Sequence, residues 1–476
     1  MSRMFSGMVL ALAFAALLVP LACYALPPVA ASWEGGERLP RAEVVPDYQE
    51  PPAELTGGSA VSAPQAGDPL PGTAELARLL DARLTVEGSG TFFAVVQDAL
   101  TGTVLYERGG STGLAPASTL KVLTAAAALS AMDGNTSFPT TALPGKDPGT
   151  VVLRGGGDVL LTKGDSDPES VAGRAGLATL AEQTAAALAA GGTQGPVKVL
   201  VDDSLFTGPA LSDAWGQADI DAGEIAPVHA LAVSSAWEQE GTGPGQRVDD
   251  PALSAGESYR AALAAALAAH GIDVDPQAER GTADAGAVPL AEVRSAPLTE
   301  QVGYMLLNSD NYLAEALARL SAAAVGREAS FAGGIETVKA QVSALGVDTS
   351  SMVLGDASGL SGETSVSAAQ LTSLMRVLLT GADPDLRSVA GSLPVAGLSG
   401  TLAGRYDESA DSAAAGIVRA KTGTLLAVTA LSGYATDADG RVLAFTFLAG
   451  GLDGNTRQAR DAVDAAAAVL AGCGCR

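Results

Sequence analysis

The chain has 476 residues, of which 47% are hydrophobic and 17% are charged. This composition excludes a wholly disordered chain, and the length is sufficient for two or three domains with a sizeable core. The formal net charge is −25, and so acidic a surface repels phosphate backbones, which argues against nucleic acid as a partner. Only two histidines and three cysteines are present, which disfavours a zinc site and histidine-based hydrolysis.

The first 25 residues are predicted to direct export. Arg3 gives a short positive segment, residues 4–22 are almost unbroken apolar sequence, and small residues follow at Cys23 and Ala25. The pattern is typical of a signal sequence, and it leaves open whether the segment is cleaved, kept as a membrane anchor or lipidated. Residues 26–72 hold nine of the 25 prolines and are predicted to form a linker. We therefore expect an exported, extracytoplasmic protein whose membrane association is open.

The two ends of the remaining chain predict one sheet. Near the start come a helix, a β-hairpin and a long Ala/Leu helix, predicted over residues 74–83, 92–106 and 118–132. Near the end come three strands and a last helix, predicted over residues 416–420, 427–435, 442–449 and 456–470. A hairpin at one end and a three-strand meander at the other predict a single antiparallel sheet with helices packed on it, an α+β fold.

The middle of the chain has a different pattern of predicted elements and is predicted to be an insertion. Residues 140–292 combine short strands, predicted at 151–153 and 199–201, with glycine turns and alanine-rich helices. The sequence therefore predicts one domain formed by residues 73–139 and 293–476, interrupted by an inserted domain or domains at 140–292.

A serine and a lysine at the start of the long helix could form a nucleophile and its base. Ser118 and Lys121 are three residues apart, so both side chains lie on one helix face. The helix N-terminus favours a developing alkoxide or oxyanion, and a neutral lysine can activate a serine without histidine. Taken alone, the pair is equally compatible with an ordinary solvated helix lysine.

Two later segments carry complementary chemistry. Ser309-Asp310-Asn311 interrupts two apolar helical stretches; its hydroxyl could relay a proton and its carboxamide could hold a peptide amide, although Ser, Asp and Asn are also ordinary helix caps. The segment 421–424 (Lys421, Thr422, Gly423, Thr424) is predicted to close the strand that begins at residue 416. A lysine and hydroxyls there could grip a carboxylate, with glycine allowing close approach, or could simply be an edge-strand charge before a turn.

The three segments occur once each and in a fixed order. Together they resemble the motifs of penicillin-binding proteins and serine β-lactamases. The folded part resembles in particular the D-Ala-D-Ala carboxypeptidase/endopeptidase family of low-molecular-weight penicillin-binding proteins, the PBP4-like (DacB-type, peptidase S13) group. Further stretches support this resemblance: residues 154–158, 201–209, 356–361 and 393–402. Ala357 stands where glycine is expected, and His229 where serine is expected.

The resemblance implies a DD-peptidase/serine β-lactamase-like antiparallel sheet flanked by helices, with an inserted domain between the first and second motifs. It implies catalytic roles for Ser118 as nucleophile, Lys121 as base and Ser309 as proton shuttle. It also implies substrate binding by the following residues: Asn311, Lys421, Thr422, Gly423 and Thr424. No metal or organic cofactor is implied, and the expected partners are peptidoglycan stem peptides and β-lactam antibiotics. A serine β-lactamase and a catalytically inactive wall-binding protein on the same fold are the alternatives.

Overall fold

The computed structural model describes residues 69–240, 245–407 and 411–474. The strands are, in chain order, β1 Thr91–Asp98, β2 Val104–Arg108, β3 Gly113–Leu114, β4 Pro139–Pro144, β5 Thr150–Gly155, β6 Val197–Asp202, β7 Val274–Arg280, β8 Ala291–Arg294, β9 Val366–Ser367, β10 Arg419–Leu425, β11 Val428–Thr436 and β12 Val442–Gly450. The helices are α1 Thr73–Arg83, α2 Lys121–Ala131, α3 Leu177–Ala190, α4 Gln217–Asp221, α5 Pro251–Ala268, α6 Leu298–Asn308, α7 Asn311–Ala324, α8 Phe331–Ala344, α9 Ala368–Thr380, α10 Pro384–Gly391 and α11 Thr456–Gly472.

The main sheet joins the two ends of the described chain. Its strand order is β10-β11-β12-β1-β2, and every neighbouring pair is antiparallel. Strand β1 pairs with β12 along its whole length, from Thr91 opposite Gly450 to Asp98 opposite Leu443. The predicted α+β fold with one antiparallel sheet is therefore confirmed. The predicted export segment at residues 1–25 and most of the predicted linker lie outside the described residues.

Alternating side chains of the main sheet enter two separate cores. In β1, Val95 belongs to the core that also holds α2, α6, α7 and α9, whereas Ala94 and Val96 belong to the core against α1 and α11. A strand buried on both faces needs apolar residues at nearly every position, and β12 has them. The sheet is thus the central layer between two layers of helices.

The middle of the chain builds a second sheet with the strand order β7-β6-β5-β4-β8. Strands β5, β6 and β7 run parallel, while β4 is antiparallel to both β5 and β8. Helices α3 and α5 pack on this sheet and bury a third core with it. The strands predicted at 151–153 and 199–201 lie inside β5 and β6. That residues 140–292 form a domain of their own stays a prediction.

Part of the middle segment leaves the second sheet and packs against the helices of the main sheet. Trp215, Ile225 and Val228 are buried in the same core as α2 and α7. This packing brings the residues on either side of them to the edge of the main sheet. Within the described ranges, no helix combines the length and the apolar character needed to cross a bilayer.

Two predicted boundaries are wrong. The strand predicted at 416–420 is observed as β10, Arg419–Leu425, so Lys421 to Thr424 lie inside the strand and do not close it. Polar residues and a glycine do not indicate a strand in the sequence. Their backbones nevertheless pair fully with β11, for example Lys421 opposite Ser432. The helix predicted from Ser118 begins as a 3-10 turn, Ala117–Leu120, and becomes α-helical only at Lys121.

Candidate active site

Ser118 lies on a tight turn that is packed between two glycines from other parts of the chain, Gly359 and Gly423. Ala117, directly before it, has a left-handed φ of 48°, which is costly for a residue with a side chain. A Cβ on Gly423 would come within 2.7 Å of the carbonyl oxygen of Pro116, and one on Gly359 within 1.9 Å of that of Ala117. Glycine is therefore required at both positions, because strand β10 and the 356–361 loop approach the turn of Ser118 closely.

Lys121 is fully buried beneath Ser118 and is surrounded by neutral oxygens. Its Nζ donates hydrogen bonds to Ser118 Oγ at 2.9 Å, to Asn311 Oδ1 at 2.6 Å and to the Ser358 carbonyl at 2.7 Å. Burial lowers the pKa of Lys121 to about 8, although the negative charge of Asp356, among other carboxylates, opposes that shift. A lysine with such a pKa can lose its proton near neutral pH and accept one from a serine.

The second motif is both a helix cap and a part of the site. Helix α6 ends at Asn308, Ser309 follows in the left-handed region with a φ of 57°, and Asp310 caps α7 by accepting a hydrogen bond from Leu313 N–H at 3.0 Å. Because Asp310 makes the cap, Asn311 is free to accept from Lys121. Asn311 Nδ2 donates in turn to the Glu224 carbonyl at 2.9 Å.

Lys421 faces Ser309 across the cleft. Its Nζ donates to Ser309 Oγ at 2.9 Å and to the Thr422 carbonyl at 3.0 Å, and the side chain is fully buried. Burial, followed by the positive charges of Lys121 and Arg405, lowers the pKa of Lys421 well below its usual range. The positive charge of Lys121 thus disfavours a proton on Lys421.

A cleft of about 520 Å³ opens above these groups. Of the residues predicted from the sequence, its lining includes Ser118, Ser309, Asn311, Thr422, Gly423 and Thr424. Lys121 and Lys421 lie just below and reach the cleft through their hydrogen bonds to the two serines. A second space of about 500 Å³ also includes Ser118 and runs past Leu360, Leu425 and Leu426. All eight predicted site residues thus converge on one place.

Several residues of the cleft were not predicted. Glu224, Trp237 and Arg247 come from the middle of the chain and line the same cleft. No local pattern distinguishes them in the sequence, since it is the packing of this part of the chain on the helices of the main sheet, from Trp215 to Val248, that brings them there.

The loop behind Lys121 was singled out only as a family-like stretch. Its Asp356 accepts hydrogen bonds from the Trp215 indole N–H at 3.1 Å, from Ser358 Oγ and from Gly359 N–H. Glu315 Oε1 accepts from the backbone N–H of both Ala357 and Ser358. These two carboxylates hold the loop whose Ser358 carbonyl binds Lys121.

His229 lies outside the cleft. Its Nδ1 is 2.8 Å from Asp203 Oδ2, and its backbone N–H donates to the Tyr312 hydroxyl. That histidine takes no part in the chemistry stays a prediction. Within the described residues, no cluster of three or more His, Cys, Asp or Glu side chains is arranged to hold a metal ion.

The antiparallel sheet is flanked by helices and carries one serine–lysine pair on a helix and a second pair that joins a loop to a strand. This is the architecture of serine hydrolases that use lysine in place of histidine. The model of the D-Ala-D-Ala carboxypeptidase 3 (S13) family matches residues 76–244 and 236–471. The chain belongs to that family and is a peptidase hydrolase. This confirms the resemblance and the enzyme class predicted from the three motifs.

Individual relatives are consistent with the family. The chain is 39% identical over 443 residues to Carboxypeptidase DacB of Mycolicibacterium smegmatis, covering 92% of each chain. It is 30% identical over 487 residues to D-alanyl-D-alanine carboxypeptidase of an Actinomadura species, covering 85% of each. Penicillin binding protein 4 (dacB) from Haemophilus influenzae has the same fold, with a TM-score of 0.65 at 22% identity over 81% of this chain and 97% of that one.

Proposed function

We propose that this protein is a serine-type D-alanyl-D-alanine carboxypeptidase that acts on peptidoglycan stem peptides through an acyl-enzyme on Ser118. The observation that carries the proposal is the hydrogen bond from buried Lys121 to Ser118 Oγ, 2.9 Å long, beside the Lys421–Ser309 pair. The names of the relatives, carboxypeptidase in M. smegmatis and D-alanyl-D-alanine carboxypeptidase in Actinomadura, support the same substrate class.

In the acylation step, Ser118 Oγ attacks the carbonyl carbon between the last two D-alanines. Its proton passes to the neutral amine of Lys121 as the carbonyl oxygen becomes an oxyanion, which the backbone N–H groups of Ser118 and Thr424 would stabilise. The C–N bond then breaks, and a proton delivered through Ser309 leaves with the amine of the released D-alanine. Asn311 holds the amide of the substrate during this step. Water hydrolyses the ester and restores the serine.

The terminal carboxylate of the substrate would set the charges of the two lysines. In the part of the chain that the structure describes, Lys421 binds no carboxylate and faces the positive charges of Lys121 and Arg405, and burial and these charges lower its pKa. A carboxylate bound by Lys421, Thr422 and the open backbone at Gly423 favours the charged form of Lys421. Its positive charge then disfavours a proton on Lys121, so that binding of the correct substrate prepares the base.

β-Lactams contain an acylating carbonyl and a carboxylate like those of D-Ala-D-Ala, and we expect them to acylate Ser118. Glu315 does not line the cleft; its Oε1 is occupied by the backbone N–H groups of Ala357 and Ser358. It is therefore not placed to hold the water that would make deacylation fast. Glu224 does line the cleft near Ser118, so the preference for a peptidase over a β-lactamase rests on the family and the names of its relatives, and the rate of deacylation tests it.

We further propose that the protein works outside the cytoplasm, held near the membrane by its apolar residues 4–22. A chain that acts on stem peptides must reach the cell wall, and the proline-rich residues 26–72 provide length between an anchor and the catalytic part. Fractionation of cells tests this: membrane association that disappears when residues 4–22 are deleted supports anchoring, whereas release of the wild-type protein into the medium contradicts it.

The central test is intact-mass analysis of the full-length protein after incubation with benzylpenicillin, combined with an assay for D-alanine release from a stem pentapeptide. We expect an adduct of one penicillin on the Ser118 peptide and release of D-alanine, both absent in Ser118→Ala. Rapid loss of the drug without an adduct or D-alanine release would instead identify a β-lactamase. No reaction with either compound would favour a wall-binding protein on this fold.

A further inference from the structure

A guanidinium from the middle of the chain lies behind the second motif. Arg247 pairs through its backbone with Trp237, and its guanidinium carbon is 3.7 Å from the centre of the Trp237 ring. Stacking on the ring fixes the plane of the guanidinium and therefore the directions of its N–H groups. Nothing in the local sequence distinguishes this arginine from the others.

The guanidinium connects two loops that are separate in sequence. Its Nε donates to the Gly223 carbonyl at 2.7 Å and its Nη2 to the Glu224 carbonyl at 3.4 Å. Its Nη1 donates to the Ser235 carbonyl. One side chain thus binds the end of the segment after α4 and the turn that begins at residue 234.

Each of those loops contacts the second motif directly. The Glu224 carbonyl accepts from Asn311 Nδ2 at 2.9 Å, and Ser235 Oγ donates to Asp310 Oδ2 at 2.5 Å. Asp310 uses its other oxygen to cap α7. The orientation of both residues after Ser309 therefore depends on loops that Arg247 holds together.

The turn at residue 234 is strained. Ser234, Ser235 and Ala236 have φ values of 46°, 52° and 68°, and three successive left-handed residues that are not glycine persist only where their surroundings enforce them. The backbone N–H groups of Ser234 and Ser235 donate to the carbonyls of Leu161 and Val159, and Arg247 binds the Ser235 carbonyl. Strain of this kind, maintained beside a reactive site, points to a role in that site.

We propose that Arg247 is a positioning residue for acylation: through the two loops it holds Asp310 and Asn311 in the orientation that the reaction of Ser118 requires. The inference rests on the proposed function and assigns to the middle of the chain a part in the chemistry of the main site. Asn311 also binds Lys121, so a shift of the motif would disturb the base as well as the substrate amide.

Arg247 also lines the cleft, and a direct contact with the ligand is the competing explanation. The two roles differ in kinetics. A positioning residue affects the rate constant of acylation, k2, because displacing reacting groups by about 1 Å costs about a hundredfold in rate. A residue that binds the carboxylate of the ligand affects the dissociation constant K of the non-covalent complex instead.

The experiment measures K and k2 for benzylpenicillin with the full-length protein and four variants. We expect Arg247→Met to lower k2 about a hundredfold with K changed less than about threefold. Arg247→Lys, which keeps the charge and one donor, should recover about tenfold of that loss. Ser235→Ala, which removes only the bond to Asp310, should lower k2 about tenfold. Ser295→Ala is the matched control, because Ser295 is also a buried serine whose hydroxyl accepts from Phe138 N–H and donates to the Ala296 carbonyl, but it does not line the cleft.

Four results would overturn the inference. An increase in K with an unchanged k2 would make Arg247 a ligand contact, and equal losses in Ser235→Ala and Ser295→Ala would make the effect one of general stability. Normal acylation of wild type together with normal acylation of Arg247→Met would refute the positioning role and leave the proposed function intact. Failure of wild-type protein to be acylated would refute both.

Discussion

Two of the places where this protein buries charged side chains are built differently. Asp98 and Arg441, at one end of the main sheet, are both fully buried and form a two-pronged ion pair, with Arg441 Nε 2.5 Å from Oδ1 and Nη2 2.9 Å from Oδ2. Lys121 and Lys421 are equally buried, yet their hydrogen bonds within the described residues go to hydroxyl, amide and carbonyl oxygens.

The difference separates a structural charge from a reactive one. Burial raises the pKa of Asp98, but the hydrogen bonds from Arg441 and Thr101 and the charge of Arg441 together outweigh it, so the pKa is lowered. Lys121 has no directly bonded carboxylate among the described residues, and the more distant carboxylates, Asp356 first among them, only partly offset the effect of burial, so its pKa is lowered to about 8. The ion-paired charges therefore contribute to stability, whereas the lysines of the cleft can exchange protons.

The largest effect is expected from removing the base. Lys121→Met keeps the volume of the side chain but removes the amine, and we expect acylation by benzylpenicillin to fall about ten-thousandfold. Because the buried amine has no directly bonded carboxylate among the described residues, removing it relieves a desolvation cost that offsets the loss of its three hydrogen bonds, and the unfolding temperature should change little. Rates from intact-mass time courses and thermal unfolding of the same samples check both halves.

The matched control is Lys339→Met. Lys339 is a half-buried lysine that donates to the Met352 carbonyl at 2.7 Å, away from the cleft. The Lys339→Met protein should be acylated by benzylpenicillin at the wild-type rate. A Lys121→Met protein that is acylated normally, or one that fails to fold, would remove the distinction between the two kinds of buried charge.

The opposite pattern is expected at the paired site. Arg441→Met leaves Asp98 buried without its partner, and the free energy of unfolding should fall by about 3–5 kcal/mol. Acylation per folded molecule should be unchanged. Arg280→Met is the comparison, since Arg280 forms its ion pairs with Asp203 and Asp250 at the surface and should cost about 1 kcal/mol or less. Denaturant unfolding measures both, and equal losses would contradict the account.

A smaller effect is expected on the pH dependence of acylation. Asp356 is the carboxylate that most strongly raises the pKa of Lys121. With Asp356→Asn that negative charge is gone, the pKa of Lys121 falls, and the acid limb of the acylation profile should move to lower pH by about half a unit to one unit. Asp203→Asn, beside His229 and outside the cleft, should leave the limb in place. A limb that stays put in Asp356→Asn, or moves to higher pH, would contradict the assignment.

How much could be predicted from the sequence depends on whether the signal is local. The Ser118–Lys121 pair, the Ser309 loop and the Lys421 segment are short patterns with fixed spacing, and the structure brings them together as expected. The antiparallel sheet followed from the hairpin and the three-strand meander at the two ends of the chain. Strand β10 was predicted too early in the sequence, because Lys421 and Thr422 are polar and polar residues are not expected to be buried inside a strand.

The unpredicted half of the site comes from long-range packing. Arg247 reaches Asp310 and Asn311 only through a strained turn and two carbonyl contacts, and no spacing rule links residues so far apart. Asp356 and Glu315 act on Lys121 through one loop, and neither carboxylate touches the cleft. Geometry of this kind appears only once the chain is folded.

The most direct test of the central claim is the pH dependence of acylation by benzylpenicillin in the wild-type protein. The ratio k2/K reports the ionisation of the free enzyme, and Lys121 has a pKa of about 8. We predict that the ratio rises with pH through the loss of one proton near that value and that Lys121→Met lacks this rise. A ratio that is constant between about pH 6 and about pH 9 would show that Lys121 does not act as the base.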